Sequence, residues 1–298
     1  MYLSTEQFTP RPLYPTIRPF AVETLLEQGS GELNEDVLLA ADDLFGVFDG
    51  ATSLDERKFD GGRTGGLLAA QLAAKTIREG QGSLAYLAAQ ANRRIRSAFL
   101  SENDPMAERH RLWSTSLAVI RPADDHMEYC QIGDAMILVV LEDGGFRLVT
   151  PELDIDRQTL HLWQEAEKSS TATIQDLLAD QILRVRLQMN VSYGVLNGEP
   201  AATQFLRHGY HDLRGASDIL LFTDGLFLPK ENPLADEDWQ GLVNLYRCGG
   251  LQAVRQHIRR LQFDDARCRK FPRFKQHDDI AAVAIRLNNE RQPAMAFS

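Results

Sequence analysis

Short apolar runs bounded by turn residues recur along the chain, and they predict β-strands. The two clearest runs, at residues 44–49 and 219–224, each end in an Asp-Gly pair. Four more runs follow one another between residues 114 and 150, with turn signals such as Gly133-Asp134 between them. Because no helix separates these four, we expect an antiparallel meander and not a Rossmann-type sheet. The remaining strands are predicted at 20–26, 36–41, 203–213 and 280–287.

Helical patterns lie between and after these strands. Residues 64–78 and 83–100 predict a pair of helices, and two shorter helices are expected near 237–247 and 251–261. Residues 152–190 interrupt the strand pattern with a polar, helical stretch, which indicates an insertion or lid. The pattern as a whole predicts an α+β fold, with antiparallel sheets and paired helices outside them.

The length and the prolines suggest the domain boundaries. A chain of 298 residues fits one large domain or two small ones, and is long enough for a sizeable core. Several prolines near the start predict an irregular arm over residues 1–18, because proline disrupts regular elements. We therefore expect a single domain over residues 19–290, followed by a tail at 291–298.

The bulk composition excludes several classes of protein. The net charge of −10 lacks the basic footprint of a nucleic-acid-binding protein, so no nucleic-acid partner is expected. The three cysteines form no Cys-x-x-Cys pair, which argues against a zinc ribbon and favours a reduced, cytoplasmic setting. No apolar run approaches the roughly 18 residues of a membrane span, so no membrane association is expected. The acidity is explained by solubility, or by acidic residues that bind cations.

Acidic residues stand at the edges of the predicted elements, at Asp36, Asp49, Asp224 and Asp278. Carboxylate oxygens are ligands that Mg²⁺ and Mn²⁺ prefer, and one carboxylate can bridge two ions about 3.5–4 Å apart. Asp49 is the natural bridge, because the carbonyl of Gly50 beside it offers another oxygen ligand. Such a site activates water and neutralises a phosphate group. Each Asp-Gly pair alone also fits an ordinary turn, so the hypothesis depends on convergence of these residues in the fold.

The order of these motifs resembles the metal-dependent serine/threonine protein phosphatases of the type 2C family. Residues 44–50, LFGVFDG, look like the family signature, and residues 221–226, LFTDGL, resemble its late Asp-Gly motif. Asn34-Glu35-Asp36 matches the upstream acidic motif. The resemblance continues through the small-hydroxyl residues at 114–116, the Gly-Asp turn at 131–134 and the closing strand at 277–285. These motifs occur in the family's order and together span nearly the whole chain.

The resemblance implies an αββα sandwich with two Mg²⁺ or Mn²⁺ ions in a cleft at one edge of the sheets. It implies that Asp49, Asp224 and Asp278 bind the first ion. Asp49, the Gly50 carbonyl and Asp36 would then bind the second. The implied reaction is direct attack of a water, activated through the metal ligands Asp36 and Asp49, on a phosphoserine or phosphothreonine ester. No covalent phosphoenzyme is expected.

Two side chains that assist catalysis in many members of the family are missing from this chain. Ala51 stands where many members carry a histidine that can protonate the leaving group. Residues 29–33 contain no arginine, although many members use one just before the acidic motif to bind phosphate. Arg57, Arg63 and Arg18 are the candidate replacements for phosphate binding.

A third metal ion has less support than the first two. Leu228 stands where the late motif often has an aspartate, which leaves Asp134 without its usual partner. Glu35, Asp134 and Asp279 are therefore candidates either for a third ion or for positions that support the ligands. Asp279 itself occupies the place of an asparagine in the family's closing strand.

Two segments bear on the choice of substrate. The insertion at 152–190 stands where the family carries its variable flap, which helps to select substrates. A basic loop at 264–276 precedes Asp278. This loop is either a solvated surface or a means of steering an anionic phosphoprotein toward the cleft.

Three functions remain open on the sequence. The leading hypothesis is dephosphorylation of phosphoserine and phosphothreonine in phosphoprotein substrates. The missing histidine and arginine leave open a catalytically weak, phosphatase-like regulatory protein, which would bind a kinase or another signalling protein through the flap and the basic loop. Hydrolysis of a small phosphoester would use the same residues.

Overall fold

The computed structural model describes residues 21–51, 54, 57–102, 107–166 and 172–287. The predicted arm at 1–18 and the predicted tail at 291–298 lie outside the described residues. Within the described ranges the apolar runs form ten strands: β1 (Ala21–Glu27), β2 (Asp36–Ala41), β3 (Leu44–Gly50), β4 (Thr115–Pro122), β5 (His126–Ile132), β6 (Met136–Leu141), β7 (Phe146–Leu148), β8 (Arg207–Asp212), β9 (Ala216–Phe222) and β10 (Ile280–Arg286).

Five α-helices accompany these strands in the same part of the chain: α1 (Gly65–Glu79), α2 (Leu84–Glu102), α3 (Arg157–Glu165), α4 (Ile174–Arg186) and α5 (Trp239–Phe263). Thr64 caps α1, because its hydroxyl oxygen accepts the Leu67 amide at 3.2 Å. α3 and α4 lie in residues 152–190, the segment that is predicted as an insertion and that keeps this label below. Thr173 and Asp176 form a capping box at the start of α4. No helix in the described ranges combines the length and the apolar character that crossing a membrane requires.

The strands form two five-stranded sheets in which all neighbouring strands run antiparallel. One sheet has the order β1-β10-β9-β6-β7, and the other has the order β2-β3-β4-β5-β8. α5 packs on the first sheet, and α1 and α2 pack on the second. This helix–sheet–sheet–helix arrangement confirms the predicted α+β sandwich.

An apolar layer joins the two sheets face to face. Phe45 and Val47 of β3 pack in this layer with Ile219 of β9 and Val283 of β10. Successive residues of a strand point to opposite faces, so Phe48 packs on the other side of its sheet among the residues of α1 and α2. Because both faces of these strands are covered, they read in the sequence as continuous apolar runs rather than as alternating patterns.

The meander predicted between residues 114 and 150 is wrong in its connectivity. β4 pairs with β5 in one sheet, whereas β6 pairs with β7 and β9 in the other. The Gly133-Asp134 turn is therefore a crossing between the sheets and not a hairpin. Gly133 adopts a φ of 80° there, a conformation that favours glycine. Hairpins and crossings both use glycine and aspartate, so the turn residues do not distinguish them.

Two other elements differ from their predictions. The strand predicted at 203–213 is shorter, because a 3₁₀ helix at Pro200–Phe205 precedes β8. The two helices predicted after residue 237 are halves of α5, which loses helical geometry at Gly249 and Gly250. The break therefore lies between the two predicted halves.

Candidate functional site

Asp36 and Asp49 stand opposite each other on neighbouring strands. Asp36 begins β2 and pairs with Asp49 near the end of β3, because antiparallel pairing brings the start of one strand to the end of the next. Thr223, which follows β9 of the other sheet, donates a hydrogen bond from Oγ1 to Asp36 Oδ2 at 2.7 Å. The same Oγ1 accepts the amide of Ala281 at 2.9 Å. Asp36 is therefore held where the ends of the two sheets meet.

The other sheet presents Asp224 and Asp278 in the same manner. Asp224 follows β9, and Asp278 lies two residues before β10, the antiparallel neighbour of β9. Asp278 Oδ1 accepts hydrogen bonds from Lys275 Nζ and from the Asp279 amide, each at 2.8 Å. The end of one strand and the start of the next thus bring both carboxylates to one place.

Burial and mutual repulsion raise the pKa of three of these carboxyl groups. For Asp49, burial is the largest cause of the raised pKa, and the negative charges of Asp224 and Asp36 add to it. Burial also raises the pKa of Asp224 well above its ordinary value, and Asp278 adds to that rise. Burial raises the pKa of Asp36 as well, although the Thr223 hydrogen bond opposes the shift. Bound protons or cations relieve repulsion of this kind.

A cavity of about 250 Å³ opens over three of these four carboxylates, and Asp36 is not among the described residues that line it. Asp49, Asp224 and Asp278 contribute to its lining. The insertion contributes Arg186 of α4, and the loop before β10 contributes Lys275. Strand ends and the insertion therefore bound the same space, so a ligand in it would touch both.

Two more carboxylates line this cavity. Asp134 lies in the crossing between the sheets, and burial raises its pKa against the opposing charge of Arg186. Asp156 comes from the insertion, and burial raises its pKa to about 7, again against Arg186. No motif marks Asp156 in the sequence, since it is one acidic residue in a polar segment. Leu228 lines an adjoining cavity that also contains Asp134 and Asp156.

Glu35 and Asp279 hold backbone and capping groups. Asp279 Oδ1 accepts the amide of Gly29 at 2.7 Å, and its Oδ2 accepts the amide of Glu35 at 2.9 Å. Glu35 Oε1 accepts a hydrogen bond from Thr64 Oγ1, the group that caps α1. These bonds tie the connection between β1 and β2 to β10 and α1. They favour a supporting position for both residues over a place among metal ligands.

Two of the arginines predicted to bind phosphate have partners elsewhere, and the third, Arg18, lies outside the described residues. Arg57 Nη2 donates to the carbonyl of Glu102 at 2.7 Å. Arg63 Nη1 donates to Gln71 Oε1 at 2.9 Å. Neither arginine is among the described residues that line the cavity over the carboxylates, whereas Lys275 of the basic loop is.

A separate acidic group lies in the adjoining cavity. Glu152, Asp154 and Glu237 bring carboxylate oxygens within 4.8 Å of one another, which is close enough to share a cation. Lys230 Nζ already lies 2.6 Å from Glu237 and 3.4 Å from Asp154. Because Lys230, together with Arg157 at Asp154, already offsets part of the negative charge of this group, the cluster around Asp49 is the better candidate for divalent metal ions.

Solved structures of several phosphatases share this fold at low sequence identity. The serine/threonine phosphatase PstP from Mycobacterium tuberculosis is 18% identical with a TM-score of 0.58, and the alignment covers 91% of this chain and 99% of that one. Stp1 from Staphylococcus aureus is 12% identical with a TM-score of 0.59, over 95% and 100% of the two chains. The catalytic domain of PstP in complex with two manganese ions is 18% identical with a TM-score of 0.54, over 90% and 97%.

Sequence comparison identifies the family. No curated protein matches the chain. The family model described as Protein phosphatase 2C matches residues 27–262, a range that includes Asp36, Asp49 and Asp224. Because this match covers most of the chain and the solved phosphatases share its architecture, the chain belongs to the protein phosphatase 2C family.

Proposed function

We propose that this chain is a metal-dependent phosphatase that removes phosphate from phosphoserine and phosphothreonine in proteins. The observation that carries the proposal is the convergence, at one end of the two sheets, of four aspartates that are far apart in sequence: Asp36, Asp49, Asp224 and Asp278. The family match and the likeness to serine/threonine phosphatases support the same class of substrate.

The donor set fits divalent metal ions. Within the described ranges no residue donates a hydrogen bond to the side chain of Asp49 or Asp224, so their oxygens are open to a cation. Asp36 and Asp278 each use one oxygen in hydrogen bonds and keep the other. A set made of oxygens alone suits Mg²⁺ or Mn²⁺. The residues that would hold the ions are Asp36, Asp49, Gly50 through its carbonyl, Asp224 and Asp278.

The proposed reaction is hydrolysis in one displacement. The oxygen of a water bonds to phosphorus and the ester P–O bond breaks, so phosphate and the free serine or threonine hydroxyl are released. Bound divalent ions supply a Lewis acid for the water and positive charge for the phosphate. Thr223 fixes Asp36 across the two sheets, and strand pairing fixes Asp49 opposite it. Ala51 lines the cavity without a group that can donate a proton, so the proton of the leaving oxygen comes from another group of the lining or from solvent.

Phosphate release with and without Mn²⁺ tests this proposal. The substrates are phosphoserine and phosphothreonine peptides, with p-nitrophenyl phosphate as a small ester, and the variants are Asp49→Asn and Asp224→Asn. Asp264 is exposed at the end of α5, so Asp264→Asn is a control for the same chemical change. We expect Mn²⁺-dependent release by wild type and control, and a loss of at least about a hundredfold in both site variants.

Two outcomes would overturn the proposal. One is a wild-type protein that releases no phosphate from any of these substrates with Mn²⁺. The other is undiminished activity of Asp49→Asn and Asp224→Asn. If only p-nitrophenyl phosphate were hydrolysed, the peptides would not be substrates, and the protein would be assigned as a hydrolase of small phosphoesters.

A phosphatase-like binding protein is the second candidate, and two observations favour it. Ala51 offers no acid for the leaving group, and the Lys275 ammonium lies 2.8 Å from Asp278, where it can partly replace a metal charge. Calorimetry with Mn²⁺ separates the two functions. Mn²⁺ binding without turnover, or no Mn²⁺ binding at all, would favour the second candidate.

A further inference from the structure

Two positively charged side chains are found among the described residues that line the cavity over the carboxylates. Lys275 lies in the loop before β10, and Arg186 is the last residue of α4. The charge of Lys275 acts on Asp224, whereas the charge of Arg186 acts on Asp134 and Asp156. The two cations therefore face different parts of the acidic cluster.

The loop that carries Lys275 is fixed by its own hydrogen bonds. The carboxylate of Asp265 accepts the amides of three loop residues at 2.9–3.1 Å and a bond from Arg273 Nη1 at 2.8 Å. The guanidinium of Arg269 lies 3.3 Å from the centre of the Trp163 ring. Most of the basic loop is thus engaged in its own packing, and Lys275 is its one basic residue among the described residues that line this cavity.

The Lys275 ammonium has N–H donors that its contact with Asp278 does not use. Its Nζ lies 2.8 Å from Asp278 Oδ1, and its side chain keeps 27% of its surface exposed. An ammonium carries three N–H donors, and Asp278 is its single partner in the described part of the chain. A lysine ammonium is positively charged at neutral pH, so the remaining donors carry charge as well.

A phosphomonoester dianion needs positive charge beyond that of two divalent ions. The charges of two such ions are cancelled by the four aspartates that would hold them. Asp134 and Asp156, which line the same cavity, add negative charge. The charge of the substrate is then offset by Lys275 and Arg186 among the described residues of the lining.

We propose that Lys275 is a substrate-binding residue, which keeps one N–H on Asp278 and donates another to a phosphoryl oxygen. Arg186 supplies the second cation, from the side of the insertion. This inference rests on the proposed phosphatase function and names a residue that receives the phosphate group. It also accounts for phosphate binding in a chain whose residues 29–33 lack arginine.

Binding of inorganic phosphate to the Mn²⁺-loaded protein, measured by calorimetry, tests this role, and the KM for a phosphopeptide is a second readout. Lys275→Met removes the charge at nearly constant length, Lys275→Gln is a second neutral variant, and Lys275→Arg keeps the charge. Lys270, exposed in the same loop, provides the control Lys270→Met. We expect both neutral variants to weaken phosphate binding and raise KM at least about tenfold, as for loss of a charged hydrogen bond. Lys275→Arg should recover part of this loss, and Lys270→Met should behave as wild type.

A Mn²⁺ titration separates substrate binding from a purely structural role. If Lys275 only holds Asp278 in place, the neutral variants bind Mn²⁺ more weakly and bind phosphate normally once saturated with Mn²⁺, which overturns the inference. Unchanged phosphate affinity with intact Mn²⁺ binding also overturns it. Phosphate binding is measured without turnover, so an inert wild type would refute the proposed function separately from this inference.

Discussion

The substitution Asp279→Asn tests whether this residue supports the site or binds metal. Asp279 is 3% exposed, and its two carboxylate oxygens accept the amides of Gly29 at 2.7 Å and Glu35 at 2.9 Å. An asparagine offers one acceptor oxygen, and its NH₂ group would face the second amide donor to donor. The variant therefore leaves one buried backbone amide without a partner.

Two effects of opposite sign set the size of the change. Loss of a hydrogen bond to a charged group costs about 1.5–3 kcal/mol. The charge of Asp279 also adds to the repulsion that raises the pKa of Asp36. Removing that charge relieves the repulsion and offsets part of the destabilisation. We expect a net loss of about 1–2.5 kcal/mol in the free energy of unfolding. For a chain of this size, that loss lowers Tm by roughly 2–6 °C.

Thermal unfolding in EDTA measures this loss, and calorimetry measures Mn²⁺ binding. Asp264→Asn makes the same change at an exposed position and should alter stability by less than about 0.5 kcal/mol. Asp279→Asn should retain Mn²⁺ binding, because the Asp279 oxygens are occupied by backbone amides. A variant that matches the control in Tm but loses Mn²⁺ binding would refute this reasoning, since Asp279 would then be a ligand.

Two more outcomes follow from the burial of the cluster and the close packing behind it. The metal-free protein should lose stability as the pH rises above about 4, because the raised pKa values of Asp49 and Asp224 let the folded state hold protons that the unfolded chain releases. Urea unfolding in EDTA should show a shallower decline for Asp49→Asn, and an equal decline would contradict the argument. Gly225→Ala should cost about 2–3 kcal/mol or more, because a Cβ there would overlap the Asp279 carbonyl oxygen. Gly31→Ala, with no neighbour closer than 3.4 Å, should stay within about 0.5 kcal/mol in the same thermal scan, and equal losses would refute the clash.

The strands that carry the aspartates could be predicted because both of their faces are covered. In β3, Val47 packs between the sheets and Phe48 packs among the residues of α1 and α2, and both are fully buried. Covering of this kind leaves a continuous apolar run, which a sequence displays directly. The sheet to which each strand belongs could not be predicted in the same way. β5 and β6 are separated by a short turn but lie in different sheets, and the residues of the turn do not indicate whether the next strand stays in the same sheet.

The groups that surround the aspartates could not be selected from the sequence. Asp156 and Arg186 belong to the polar insertion, where many charged residues share the same surroundings in the sequence. Lys275 is one of several basic residues in its loop. It reaches the cavity and pairs with Asp278, whereas Arg273 turns to Asp265. These assignments depend on contacts between distant segments, so they required the three-dimensional arrangement.

The two Asp-Gly pairs, which in the sequence fit either a turn or a metal site, have one structural cause. A Cβ on Gly50 would lie 2.5 Å from a backbone carbon at the start of α1, and a Cβ on Gly225 would overlap the carbonyl oxygen of Asp279. A second segment therefore passes directly behind Asp49 and directly behind Asp224. That close approach requires glycine and holds each aspartate at the end of its strand. The turn and the proposed metal site are thus one feature, since the tight packing that requires glycine also holds the carboxylates where burial and repulsion raise their pKa values.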